Sequence, residues 1–132
     1  MSTNKTAHYG LHAWVAGDDF LRAEMNENFA LLDGALGGKV VTGIYTGTGA
    51  AMSMVELGFT PIAVLCIPEK DSMVKGSTVN GGLALVGEPV RGRENLPVVE
   101  IVEGGFRLYY EYSSYGTIGA NSGLQHYIAF RA

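Results

Sequence analysis

The chain has 132 residues, 47% of them hydrophobic and only 17% charged. That length and apolar content suit one globular domain with a short appendage and exclude a disordered chain. The formal net charge is −4 and the nine Lys and Arg are scattered, which argues against nucleic acid as a partner.

Nineteen Gly, seven Tyr and five Phe are the composition of a turn-rich β-protein. The opening stretch, MSTNKTAHYG, lacks the apolar segment of a signal peptide. No run approaches the roughly 18 apolar residues of a membrane span. The chain is therefore expected to be made in a cytoplasm, without a classical export signal and without membrane insertion. His8 and His12 are four apart, a spacing that suits metal binding on a helix, but Gly10 between them argues against a helix there.

Residues 18–36 read as the one helix. Asp18 or Asp19 is the expected N-cap, because a short acidic side chain accepts from the first free N–H groups. Gly37 and Gly38 are expected to end it in the left-handed conformation. At about 100° per residue, Leu21, Met25, Phe29, Leu32 and Leu36 form a stripe about 80° wide. Asn28 and Ala35 fall in the same seam, where a polar Asn can set register between copies. Phe20 and Leu31 form a second apolar edge. A lone helix cannot bury such a seam alone, so the seam points to self-association or, alternatively, to packing across one face of the chain's own sheet.

Residues 39–132 read as strands with tight turns. KVVTGIYTG (39–47) is β-branched and runs into a Gly-rich loop. MSMVELG (52–58) follows. PIAVLCIP (61–68) is apolar on both faces, so it is expected to be central and covered, with Cys66 a buried, inert thiol. STVNGGLALVG (77–87) places Asn80-Gly81 between β-prone runs, the signal of a type I′ hairpin. PVVEIVEGGFRLYYEY (97–112) reads as a hairpin turning at Glu103-Gly104-Gly105. GLQHYIAFRA (123–132) alternates, and His126 shares a face with Ile128 and Phe130. That face is expected to be interior or an interface. Six or seven strands at this spacing predict a mainly β fold: the helix followed by an antiparallel β-sandwich. The division falls at 1–38, an attachment segment with the helix, and 39–132, a tip domain.

GTGAAM (47–52) begins like a dinucleotide fingerprint, but it lacks the third Gly and a following helix, so it reads as a loop. No nucleophile–base pair or carboxylate dyad stands out. The chain reads as a non-enzyme with no cofactor and no metal site. Tyr109, Tyr110, Tyr112 and Tyr115 cluster, and aromatic rings stack on sugars. The loops 69–77, 87–96 and 113–123 carry planar polar groups beside this ring system. Asp71, Arg93, Tyr112, Tyr115 and Asn121 are the candidate ligand-binding residues.

The stretch HYGLHAWVAGDDFLRAEMNENFALLDGAL resembles the start of many phage and prophage tail proteins, through Tyr9, Gly10, Leu11, Trp14, Asp18, Phe20, Asn26, Asn28, Phe29, Leu32, Asp33 and Leu36. YTGTGAAMSMVELGFTPIAVLCI, VEGGFRLYY and the closing HYIAFRA look like a tail-fibre or receptor-binding tip. The same order is similar to the H-type lectin fold, a sandwich that assembles as a trimer and binds N-acetylgalactosamine-like sugars. None of that family's sugar-contacting residues is carried over here. The resemblance implies a homotrimer in a virion tail, made in the host bacterial cytoplasm, partnered by other tail or baseplate proteins and by a bacterial surface glycan. The alternatives are a purely architectural baseplate or fibre connector, and a soluble H-type-like lectin.

Overall fold

The computed structural model describes residues 1–132. The chain divides into two compact units, Met1–Lys39 and Val40–Ala132.

The first unit holds two short strands, β1 (Asn4–Lys5) and β2 (His12–Ala13), and one helix, α1 (Arg22–Leu36). β1 and β2 pair antiparallel, Asn4 opposite Ala13 and Lys5 opposite His12. The helix starts four residues later than the sequence suggests. Its N-cap is Leu21, which has no side-chain cap. Asp18 is engaged elsewhere: its carboxylate accepts from the Thr3 N–H (2.8 Å), the Thr3 hydroxyl and the Val15 N–H (2.9 Å). At the far end Gly37 is extended, with its N–H donated to the Asp33 carbonyl at 2.7 Å, and only Gly38 is left-handed. A Cβ at Gly37 would stand 2.6 Å from that carbonyl oxygen.

The buried side of α1 is polar. Its two buried residues are Glu24 and Asn28, whereas Leu21, Phe29, Leu31 and Leu36 are exposed and Met25 and Leu32 half-buried. Both Glu24 oxygens accept from the Ser2 N–H at 2.9 Å, and Trp14 Nε1 donates to Oε2 at 2.9 Å. Asn28 is not a seam residue. Its Oδ1 accepts from the His12 N–H (2.6 Å) and its Nδ2 donates to the His12 carbonyl (3.0 Å), so the amide caps the backbone of β2 as another strand would. His12 Nε2 lies 2.8 Å from Glu27, and Trp14 packs on Phe20 with ring centroids 4.7 Å apart.

The second unit is all strand and turn. β3 (Val40–Thr46), β5 (Ala63–Pro68), β8 (Gly82–Leu85) and β13 (Leu124–Phe130) form a four-stranded antiparallel sheet in the order β3-β13-β5-β8. β4 (Met52–Glu56), β6 (Val74–Lys75), β7 (Thr78–Val79), β9 (Val90–Arg91), β10 (Pro97–Val102), β11 (Gly105–Glu111) and β12 (Ile118–Gly119) form the other sheet. β11 is its spine. β10 lies on one side, while β4 and β12 share the other, at Gly105–Tyr109 and Tyr110–Glu111. One pair, β12 with β7, is parallel. The fold is thus mainly β, with more and shorter strands than the six or seven expected.

The core of this unit draws on both sheets. Val64, Cys66, Ala84 and Ala129 come from one, and Val98, Val99, Phe106, Leu108 and Ile118 from the other, all essentially without exposure. Phe106 meets Tyr127 edge-on at 5.1 Å. Burial of each large apolar side chain contributes roughly 1.5–3 kcal/mol. The Tyr127 ring also covers Gly43, directly opposite in register; a Cβ there would stand 2.3 Å from the Tyr127 hydroxyl. Only Gly fits beneath that ring.

Three readings change in this unit. The hairpin 97–112 forms, with Gly104 left-handed in its turn. The hairpin at Asn80-Gly81 does not: β7 joins one sheet and β8 the other. Neither residue has the positive φ of a type I′ turn. Asn80 is buried instead, with its N–H donated to the Met73 carbonyl and its Nδ2 to the Ser72 carbonyl. In β13 the interior face is Gln125, Tyr127 and Ala129, and His126 faces outward and is exposed. β5 is central, as expected, but covered on one face only: Ile67 on the other face is 42% exposed.

One buried amide ties the sheets together. Asn121 Oδ1 accepts from the Tyr45 hydroxyl (3.1 Å) and the Thr48 N–H (3.2 Å). Its Nδ2 lies within hydrogen-bonding distance of the Ala50 carbonyl (2.8 Å), Ser53 Oγ (3.0 Å) and Thr48 Oγ1 (3.1 Å). Asn121→Ala strands these groups in the interior and should destabilise the β unit by about 3 kcal/mol in urea unfolding; a loss under about 1 kcal/mol would show the network to be dispensable. Cys66 has no exposure, and burial pushes its thiol up to about 12. Thiol reagents should label the native protein only as fast as it unfolds, and rapid labelling would contradict the burial.

Charge holds the first unit. The hydrogen bond from the Thr3 hydroxyl, then that from the Val15 N–H, lowers Asp18. Burial works against Glu24, but its bonds from Ser2 and Trp14 outweigh it and lower the carboxyl. The His12 contact, then Lys5, lowers Glu27. Depressed carboxyls stabilise the fold above their ordinary values and release that stability as pH falls through their folded ones. Trp14, the only Trp, reports on this unit. Its emission should shift red as pH falls below about 4, while the far-ultraviolet signal of the strands persists. An emission spectrum constant to about pH 2 would rule out this charge dependence.

Candidate functional site

In the Val40–Ala132 unit a cleft of about 400 Å³ opens where β5 ends and β13 begins. Pro68, Glu69, Lys70, Asp71 and Asn80 line one side, and Gly119 with Ser122 to Gln125 the other. Backbone bonds set its walls. The Glu69 N–H donates to the Leu124 carbonyl at 2.9 Å, and the Asn80 N–H to the Met73 carbonyl at 2.7 Å. The parallel bridge of Val79 with Ile118 brings the two stretches side by side. Gly119 is required at this closure, since a Cβ would stand 2.2 Å from Asn80 Oδ1.

The chemistry of the cleft grades from rim to floor. Glu69, Lys70 and Asp71 are exposed on the rim and supply acceptors and a cationic donor. Asp71 Oδ1 accepts from the Ser72 N–H at 2.9 Å and lies 3.8 Å from Lys75. Leu124 and Pro68 give apolar surface, and the Ser122 hydroxyl donates to the Gly119 carbonyl at 2.8 Å. Gln125, 2% exposed, donates through Nε2 to the Asn80 carbonyl at 2.9 Å, and its Oε1 is buried with no partner. An unpaired buried amide oxygen is costly unless a donor reaches it.

The candidate residues scatter. Asp71 stands on the rim of the cleft. Arg93 is not in it: its guanidinium pairs with Glu94 at 3.1 Å and with Glu111. Tyr112 and Tyr115 are the most open aromatics of this unit, 76% and 86% exposed, and neither lines the cleft. Asn121 is not available to a ligand. It has no exposure, and its amide is fully engaged by Tyr45, Thr48, Ala50 and Ser53. A position in a polar loop does not distinguish an amide facing solvent from one turned inward. Gln125 and Glu69 line the cleft, although neither is among the candidates read from the sequence. Gln125 sits in an alternating strand whose sequence gives no sign that the polar side faces in.

A second groove, about 360 Å³, runs along Met52, Leu96, Pro97, Tyr109, Tyr110 and Ile118 and is mostly apolar. Tyr109 donates to Glu100 at 3.0 Å, and burial, then this carboxylate, raises its hydroxyl. No three His, Cys, Asp or Glu side chains come together in a metal-binding group, and no helix is long and apolar enough to cross a membrane. No protein-family profile, curated protein or solved structure matches the chain.

Proposed function

We propose that this is a phage or prophage tail-associated structural protein, with Val40–Ala132 a β-sandwich tip that binds a bacterial surface glycan. The cleft carries the reading. A glycan presents many hydroxyls, each donor and acceptor, over a partly apolar ring. Glu69, Lys70 and Asp71 on the rim and Gln125 below meet hydroxyls, and Leu124 and Pro68 meet the ring. Support for the tail setting comes from the N-terminal resemblance. Its residues Trp14, Asp18 and Asn28 are those that knit the first unit together. On this reading the protein is a binder rather than an enzyme. It forms a homotrimer, sits with other tail or baseplate proteins in the virion, and exposes Leu21, Phe29 and Leu36 on its helix to such neighbours.

The test is adsorption to an array of bacterial surface polysaccharides. Glu69→Ala and Asp71→Ala should each weaken binding about tenfold, or roughly 1.4 kcal/mol, at unchanged melting temperature. Arg93→Ala and Tyr115→Ala, outside the cleft, should bind like the parent. If the parent binds no polysaccharide, the architectural connector becomes the better reading. Loss only in Arg93→Ala or Tyr115→Ala would move the site away from the cleft.

A further inference from the structure

The outer face of the four-stranded sheet is mostly apolar and partly exposed, with Thr42, Thr46 and His126 as its polar side chains. Register sets its rows: Ile44, His126 and Ile67 lie abreast on β3, β13 and β5, and Thr42, Ile128, Leu65 and Leu83 lie abreast on β3, β13, β5 and β8. Ile44 is 62% exposed and Leu83 56%. Ordinary antiparallel sheets alternate apolar inside with polar outside. Here the outward side chains of β5 and β13 are apolar except for His126.

We propose that this face is where a second copy of the chain docks. The proposal rests on the self-assembly in the functional reading and names its surface; it does not depend on the cleft. Charge is the first argument. The chain has 13 Asp and Glu and nine Lys and Arg, and none points from these strands to the outer face, where His126 is the one titratable group. Around a rotation axis the same residues of each copy converge, so any charge near the axis would oppose itself. A face without Asp, Glu, Lys or Arg gathers around such an axis without that conflict. Area is the second argument. Four strands about 4.8 Å apart and roughly six residues long project to roughly 400 Å². A patch of that size is within the range of the largest patch on a monomer, which is often functional. It is about half of what each partner gives to a standard interface, and side chains standing off the sheet add to the flat figure.

The experiment is native mass by analytical ultracentrifugation across concentration. The parent should sediment as a multiple of the 14.0 kDa chain. Ile44→Glu places a charge on an exposed strand position and should raise the dissociation constant about a hundredfold. Val74→Glu, exposed on the other sheet, should not. If Ile44→Glu fails to fold, hydroxyl-radical footprinting of the parent replaces it: Ile44, Ile67 and Leu83 should be protected at concentrations where the native mass is a multiple. A parent that stays at one chain, with or without binding to phosphatidylglycerol vesicles, overturns the proposal. An oligomer unaffected by Ile44→Glu but split by Phe29→Glu overturns it too, while leaving self-assembly standing through the helix.

Discussion

The β unit depends on what one carboxamide does at residue 121. The loop after β3 and the turn before β13 both leave their ladders there, and their polar groups would otherwise be buried without partners. Asn121 supplies both signs at once, accepting from Tyr45 and Thr48 and donating toward Ala50 and Ser53. Its own backbone adds two more bonds. The Asn121 N–H reaches the Tyr109 carbonyl, and its carbonyl accepts from the Gly49 N–H. Tyr45 belongs to one sheet, Ser53 and Tyr109 to the other. A single side chain therefore sets how the ends of the two sheets meet. The cleft begins one residue later, at Ser122, so its wall inherits that rigidity.

The two units solve burial in opposite ways. In Val40–Ala132 an apolar interior excludes water, and polar atoms are satisfied around it. In Met1–Lys39 the helix turns Glu24 and Asn28 inward and leaves Phe29 and Leu36 outside. An isolated helix of this length is marginal in water. What orders it is a set of charge-assisted bonds to the first fifteen residues, which are stronger than neutral ones but sensitive to protonation.

Much of the strand layout was legible in the sequence, and the reasons are local. The stretch 97–112 alternates, is β-branched and turns at a glycine, and each of these cues depends on neighbours alone. Three further strands, β3, β5 and β13, were found within two residues for the same cause. What failed depends on partners distant in the chain. Asn80-Gly81 has hairpin chemistry, yet a carbonyl at Met73 and an amide at Gln125 claim Asn80. The orientation of β13 could not be read, because Leu124, His126, Ile128 and Phe130 look more like a core than Gln125, Tyr127 and Ala129 do. The sheet inverts that expectation because Gln125 bonds to Asn80 and the Tyr127 ring needs Gly43 beneath it. Asn121, set in a polar turn, gave no sign of its burial for the same reason.

The polar anchoring of the first unit also shapes its thermodynamics. Heat capacity of unfolding follows newly hydrated apolar surface, and so does sensitivity to urea. A unit that buries a carboxylate and an amide, and little hydrocarbon, has a small heat-capacity change and a shallow response to denaturant. Its melting is expected to be broad, because so small a unit has a small unfolding enthalpy, whereas the larger β unit should melt more steeply. Calorimetry of the whole chain then superimposes two unlike processes, and a single fitted enthalpy would describe neither.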